Sequence, residues 1–360
     1  MKVGILTFTE GYNYGNKLQN YALLTYLQKN FPCEVKTVNN CIVQGSRLKK
    51  IRILLTWAIP SKKHYMYWKR LVRFKAFNKK YLNFTSKKMT VDTKNFSEVD
   101  CLVCGSDQIW NPHYYSNINL LTGKLPKPKR SISYAASFGV SEIPNQRKKS
   151  FSEALKNLEA ISVREEQGLN ICRELGFNKC RVNIDPTFLL SKNEWLSVIQ
   201  KPVQQLPEKY AVTYFLGKPK KKVEDKINDY CKENGLERID LNSVTSLEWF
   251  DITPFEFIYL IKNAEFVFTD SFHASVFSII FGKYFLTAER ITNNNNKMNS
   301  RIDTLFSIFS CENHRLSMFD GNIDNLNMNE EKVERIIQHE KDRTYEYFSS
   351  NIFHGCSRSV

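Results

Sequence analysis

What this 360-residue sequence lacks already narrows what it can be. No apolar run approaches the roughly 18 residues that cross a bilayer. The first apolar stretch is about six residues long, ends at Thr9-Glu10-Gly11 and has no small-residue cleavage site, so no secretory leader is expected. The nine cysteines are odd in number and follow no framework spacing, which predicts reduced thiols in a cytoplasmic protein. Cys101 and Cys104 form a C-x-x-C, but it lies inside the apolar run 99–105 with no second pair at zinc-finger spacing, so it reads as buried strand. No carboxylate cluster or histidine pair suggests a metal. No G-x-G-x-x-G marks a dinucleotide site, and no repeat or low-complexity tract is present beyond Asn293–Asn296.

The most informative absence is of one charge sign. No Asp or Glu occurs between Glu34 and Asp92, while that interval holds 15 of the chain's 52 Lys and Arg residues. Without those 15, the remaining 37 basic residues are level with the 37 acidic ones, so the net charge of +15 belongs to the segment 36–88, and all of it but Lys36 to one insert at about residues 44–90. A protein that coats nucleic acid with a uniformly basic surface is excluded, and no RNA-recognition signature accompanies the insert. Within it, Trp68, Leu71, Val72, Phe74 and Phe77 share helical stretches with Lys and Arg, and Pro60-Ser61 splits the segment into an expected helical hairpin, 48–59 and 65–82. Such helices lie in membrane interfaces, or cover a sheet with a solvated outer face.

What is present is an alternation of short β-rich runs and helical patterns. Strands are expected at 3–9, 34–39, 99–105, 131–136, 160–164 and 181–184, then at 210–216, 238–241, 265–269 and 284–288. Helices are expected at 17–29, 146–159, 165–175, 221–234, 254–262, 274–281 and 329–347. Alternation of this kind predicts parallel sheets covered by helices. The chain divides into an N-terminal Rossmann-like domain (1–190), a C-terminal one (205–325), and a final helix and tail (326–360), with a hinge near 185–207. In such a pair, ligands bind beyond the carboxyl ends of the strands.

The residues at those strand ends are polar. Asn13-Tyr14-Gly15-Asn16 opens the first helix with backbone N–H groups able to face an anion or sugar hydroxyls. Asp107, Gln108 and Trp110 follow the third strand, offering groups to orient hydroxyls beside an aromatic face. Arg164 follows the fifth, as a carboxylate or phosphate fork or the partner of Glu165 or Glu166. Ser271, Phe272 and His273 follow the ninth, with the histidine in the first helical turn, placed for general-acid work if its partners keep it protonated.

Taken in order, these motifs resemble the polysaccharide pyruvyl transferase family: Asn13-Tyr14-Gly15-Asn16-x-Leu18-Gln19, Gly105-Ser106-Asp107-Gln108-Ile109-Trp110-Asn111, Ser133-Tyr134-Ala135-Ala136-Ser137-Phe138-Gly139, Ser162-Val163-Arg164, Asp185-Pro186-Thr187 and Asp270-Ser271-Phe272-His273. The resemblance runs over about residues 3 to 310. It implies a glycosyltransferase-B-like pair of facing domains. It also implies transfer of the pyruvyl group of phosphoenolpyruvate onto two hydroxyls of a sugar in bacterial capsule or exopolysaccharide synthesis, with no cofactor or metal. On that footing His273 would be the acid and Arg164 the anion fork. Ser271, Phe272, Lys297 and Arg301 would help hold the donor, and Asn13, Tyr14, Gly15, Asn16, Asp107, Gln108 and Trp110 the acceptor. Some relatives carry Arg where this chain has Ser271, so the missing charge should come from Arg301 or Arg290. The expected acceptor is a galactose or related hexose or hexosamine on a lipid-pyrophosphate-linked oligosaccharide, and the basic insert is expected to dock the enzyme at the inner face of the cytoplasmic membrane. The competing readings are a nucleotide-sugar glycosyltransferase of the same architecture and a non-catalytic module for anionic lipid or RNA.

Overall fold

β-Branched and aromatic runs that are buried along their whole length form strands covered on both faces, and this chain builds two sheets from them. The computed structural model describes residues 1–40, 61–90, 93, 96–113, 122, 130–243, 247–290 and 299–353. The first sheet is parallel throughout, in the order β3 (Phe84–Met89), β2 (Glu34–Asn40), β1 (Lys2–Leu6), β4 (Cys101–Cys104), β5 (Arg130–Ser133). Backbone bridges Ile132–Ala160 and Ala136–Val163 carry the ladder on to the parallel pair β6 (Ile161–Val163) and β7 (Cys180–Val182). Four helices follow strands of this sheet: α1 (Tyr14–Asn30), α2 (Lys62–Tyr81), α3 (Asn145–Leu155) and α4 (Glu166–Glu174).

After the short α5 (Lys192–Leu196), the second sheet is also parallel, in the order β11 (Tyr284–Thr287), β10 (Phe266–Thr269), β8 (Tyr210–Tyr214), β9 (Glu237–Asp240). Around it lie α6 (Lys221–Glu233), α7 (Pro254–Asn263), α8 (Phe272–Phe281) and α9 (Ser300–Phe309). Local chemistry sets their ends. Thr253 and Glu256 form a reciprocal capping box on α7 behind Pro254, and Gly282 closes α8 at φ +60°. The last helix, α10 (Glu330–Asn351), returns to the first domain. There Tyr347 donates to the Ser133 carbonyl (2.7 Å), Thr344 meets Tyr134 (3.0 Å), and Phe353 stacks on Phe31.

β3, α5 and α9 were not among the expected elements. β3 is an edge strand whose Lys87 and Lys88 interrupt any apolar pattern, as edge strands often do. The expected hairpin is only partly described: its second arm is α2, and its first, 48–59, lies outside the described residues. Cys101 and Cys104 are buried in β4, where burial pushes the Cys101 thiol up to about 12 and Cys104 higher. No helix among the described residues is long and apolar enough to cross a membrane.

α2 joins the two domains. Phe74 and Phe77 enter the core, while Arg73 forks onto Glu256 at 2.6 and 2.8 Å and Lys69 reaches Asp251 at 2.9 Å. Arg70 is buried, donates to the Tyr12 carbonyl (3.1 Å) and to Asn242 (3.4 Å), and lies over the rings of Tyr12, Tyr14, Phe74 and Phe250. These three cations of the insert therefore serve the domain junction, which removes them from the docking surface expected of it.

Candidate active site

The carboxyl ends of β1 and β4 meet those of β8 and β10 across a cavity of 330 Å³. From the first domain Glu10, Asn13, Asn16, Asp107 and Gln108 line it; from the second, Ser271, Phe272, His273, Arg290 and Arg301.

The turn after β4 depends on glycine. Gly105 has φ +124°, and a Cβ there would stand 2.3 Å from the Tyr134 carbonyl oxygen. Asp107 follows at φ +78°. This reversal points Asp107 into the cleft, where its carboxylate accepts from the Gln108 amide (2.7 Å) and from the Asn16 side chain. Asn13 caps α1 by accepting from the Asn16 backbone N–H (3.2 Å).

Behind the cavity lies a buried polar cluster centred on Asp185, at the end of β7. Its Oδ1 accepts from Thr187 (N–H 3.0 Å, hydroxyl 2.6 Å), and its Oδ2 from Arg164 Nη1 (2.7 Å) and Ser106 Oγ (3.3 Å). His273 Nε2 stands 3.6 Å from the same Oδ2. Burial alone would raise the Asp185 carboxyl, but His273 and Arg164 hold it well below the usual carboxylate range. Nδ1 of His273 faces Gly15: a Cβ added there would come within 2.0 Å of it. The imidazole is thus seated between the first turn of α1 and Asp185. Nε2 is turned to the carboxylate and Nδ1 to Gly15, and the residue lines the cavity between them.

The opposite electrostatic feature is a group of guanidiniums. Arg290 is oriented by Asp270 (Nε–Oδ2 3.2 Å), whose carboxylate also accepts from the Leu216 and Gly217 amides at 2.7 and 2.8 Å. With its amide oxygen facing Arg301, Gln108 accepts from that guanidinium at 2.5 Å. The Phe272 ring lies 4.5 Å from the Arg164 guanidinium and 6.0 Å from that of Arg301. Burial lowers Arg301 to about 10, with Arg164 and Arg290 adding to the effect. Arg290 and Arg164 have carboxylate partners, but Arg301 has no ion pair among the described residues, and its uncompensated charge beside theirs favours an incoming anion. α8 adds to it: Ser271 makes no side-chain cap bond, so the first N–H groups of the helix point toward the cavity uncapped.

Among the residues expected from sequence, His273, Ser271, Phe272, Arg301, Asn13, Asn16, Asp107 and Gln108 come together, and Gly15 lies beneath the imidazole. Three others lie off the cavity. Trp110 is fully buried against Phe138 and leaves no ring face for a sugar. Tyr14 is buried in an aromatic stack with Phe257, 4.6 Å between ring centres. Arg164 sits behind the lining, its fork engaged by Asp185 and Asp107 (3.5 Å) rather than by Glu165 or Glu166. Lys297 lies outside the described residues. Glu10 and Asp185 are additions. Both follow strands, so the rule that selected the other residues could have reached them.

Fold and site together define a two-domain α/β protein of glycosyltransferase-B-like architecture, with an arginine-rich anion cleft between facing parallel sheets. A model of the polysaccharide pyruvyl transferase family matches residues 13–288, and the chain belongs to that family of transferases. A search of curated proteins gives no significant match. Among solved structures it is similar to S. aureus MnaA in a co-structure with UDP (12% identity, TM-score 0.45, 100% of both chains). It is also similar to UDP-GlcNAc 2-epimerase from Neisseria meningitidis bound to UDP-GlcNAc (11%, TM-score 0.42, 95% of this chain and 100% of that one). A third is sucrose-phosphate synthase from Thermosynechococcus elongatus (9%, TM-score 0.40, 97% and 98%).

Proposed function

We propose that this cleft transfers the pyruvyl group of phosphoenolpyruvate onto two hydroxyls of a sugar, forming a cyclic ketal and releasing phosphate. The observation that carries the reading is the seating of His273 between Asp185 and Gly15, on the wall of a cavity that Arg290 and Arg301 also line. The donor is a small molecule with a carboxylate and a phosphate, and guanidinium forks with uncapped N–H groups suit both.

In this mechanism the imidazolium of His273 gives its proton to the methylene carbon of the donor. The adjacent carbon becomes oxocarbenium-like, and the first sugar hydroxyl bonds to it while its proton passes to Glu10. Glu10 is the lining carboxylate with no ion pair or hydrogen bond among the described residues. The second hydroxyl then forms the other C–O bond as the C–O bond to phosphate breaks. Arg290 and Arg301 take up the charge of the leaving phosphate, which accepts the second hydroxyl's proton. Arg164 acts through Asp185, fixing the carboxylate that orients the imidazole. No cofactor is needed, since the enol phosphate carries its own leaving group. The acceptor we assign is a hexose or hexosamine of a lipid-linked surface-polysaccharide precursor, held by Asn13, Asn16 and Gln108.

The test is mass spectrometry of galactosides and lipid-linked oligosaccharides incubated with phosphoenolpyruvate. The expected product is one pyruvate ketal per acceptor with matching phosphate release, lost in His273→Ala. Glycosyl transfer from a nucleotide sugar without phosphoenolpyruvate would overturn the reading, and full turnover by His273→Ala would overturn the role of the histidine.

A further inference from the structure

α2 has two faces with different chemistry. Its inward cations, Lys69, Arg70 and Arg73, are bound to groups of the protein as described above. Its outward face carries Tyr65, Trp68, Val72, Lys75, Ala76 and Lys79, which recur in steps of three and four residues and so share one side of the helix. All six are exposed, Tyr65 at 59%, Trp68 at 48% and Val72 at 44%. Tyr65 and Trp68 are the only exposed aromatic side chains among the described residues, and they stack on each other with ring centres 6.0 Å apart. Lys62, Lys75 and Lys79 flank them and make no ion pair among the described residues. α2 itself contains no acidic residue.

We infer that this outward face docks on the surface of an anionic phospholipid bilayer. The stripe has the composition of an interfacial helix: Trp and Tyr with an apolar body and a polar tip, small aliphatics between them, and lysines whose stems lie along the apolar strip while their ammonium groups reach outward. A leaflet rich in acidic headgroups supplies the negative charge that the face lacks. RNA fits less well. Single-stranded RNA is held by guanidinium and aromatic stacking on exposed bases, but both arginines of α2 point to the protein interior. The exposed cations are all lysines, which bind as point charges. Docking here also places the cavity. On its inner face Arg70 holds the carbonyl of Tyr12, the residue before the α1 cap Asn13 that lines the cleft.

The test is co-sedimentation of the full chain with vesicles of phosphatidylcholine alone and of phosphatidylcholine mixed with phosphatidylglycerol. Binding is expected only to the anionic vesicles and is expected to fall steeply with added salt. Each of Lys62→Gln, Lys75→Gln and Lys79→Gln should weaken it roughly five-fold, and the triple variant by about a hundred-fold. Tyr65→Ser/Trp68→Ser should weaken it at least ten-fold, with every variant still folded by circular dichroism because these side chains lie outside the core. Equal binding to neutral vesicles, binding insensitive to these changes, or preferential capture of single-stranded RNA through the same lysines would overturn the inference. The experiment uses no donor or acceptor, so it is independent of the chemistry proposed above.

Discussion

Gly15 shows how much a single missing side chain can decide. Its Cα lies against the His273 ring, so an added methyl would sit 2.0 Å from Nδ1, closer than real contacts allow. In Gly15→Ala the imidazole must swing out, because the α1 backbone is fixed by the Asn13 cap. Turnover is expected to fall at least a hundred-fold while the chain stays folded, checked by activity beside circular dichroism; wild-type turnover would disprove the contact. Lys17, one turn into the same helix, is buried with its ammonium on the Thr9 carbonyl (2.6 Å). Burial lowers it to about 8 from 10.5, partly offset by Glu10. Between those two pH values the unfolded chain binds the proton that the folded chain has lost, so stability rises with pH across that window. Relative to Lys17→Met, the wild type should gain on the order of 3 kcal/mol from pH 8 to 10.5 in urea unfolding. Parallel pH profiles would refute it.

At the level of elements, α2 illustrates why the site was more legible than its supports. Its acidic partners Asp251 and Glu256 lie far along the chain, so nothing in the basic run announced them. Both carboxylates are buried; Asp251 also has Lys69, but removing Arg73 would leave Glu256 without compensation. Arg73→Met is therefore expected to destabilise the protein by about 3 kcal/mol, whereas the exposed Lys80→Met should stay within about 0.5 kcal/mol. Chemical denaturation of the two variants checks this, and equal stability would show the bridge to be idle. Strands with every residue buried, such as β8 and β10, were plain from their apolar runs. α9 was not, because Ser300, Arg301 and Asp303 fill its first turn. Strand-end position found His273, Asp107 and Asn16 without difficulty. It could not tell which side of a turn a residue takes. The conformations of Gly105 and Asp107 send Asp107 into the cleft and Trp110 into the core, and spacing alone carries no such information.

For the whole molecule, charge is distributed by use. A net of +15 concentrated in one segment divides into cations that bridge domains and cations that face outward, while the cleft holds its own arginines from the opposite domain. The cavity is therefore assembled only when both domains are in place: His273 comes from one and the groups that seat it, Gly15 and Asp185, from the other.

The return of α10 to the first domain has a mechanical consequence. Because Tyr347 and Thr344 are anchored on the first sheet, the second domain is a loop of chain tethered at both ends, once after β7 and once before α10. α2 holds the second domain a third time, through Arg73 on Glu256 and Lys69 on Asp251. Fixed at three places rather than one, the second domain keeps His273 in register above Gly15.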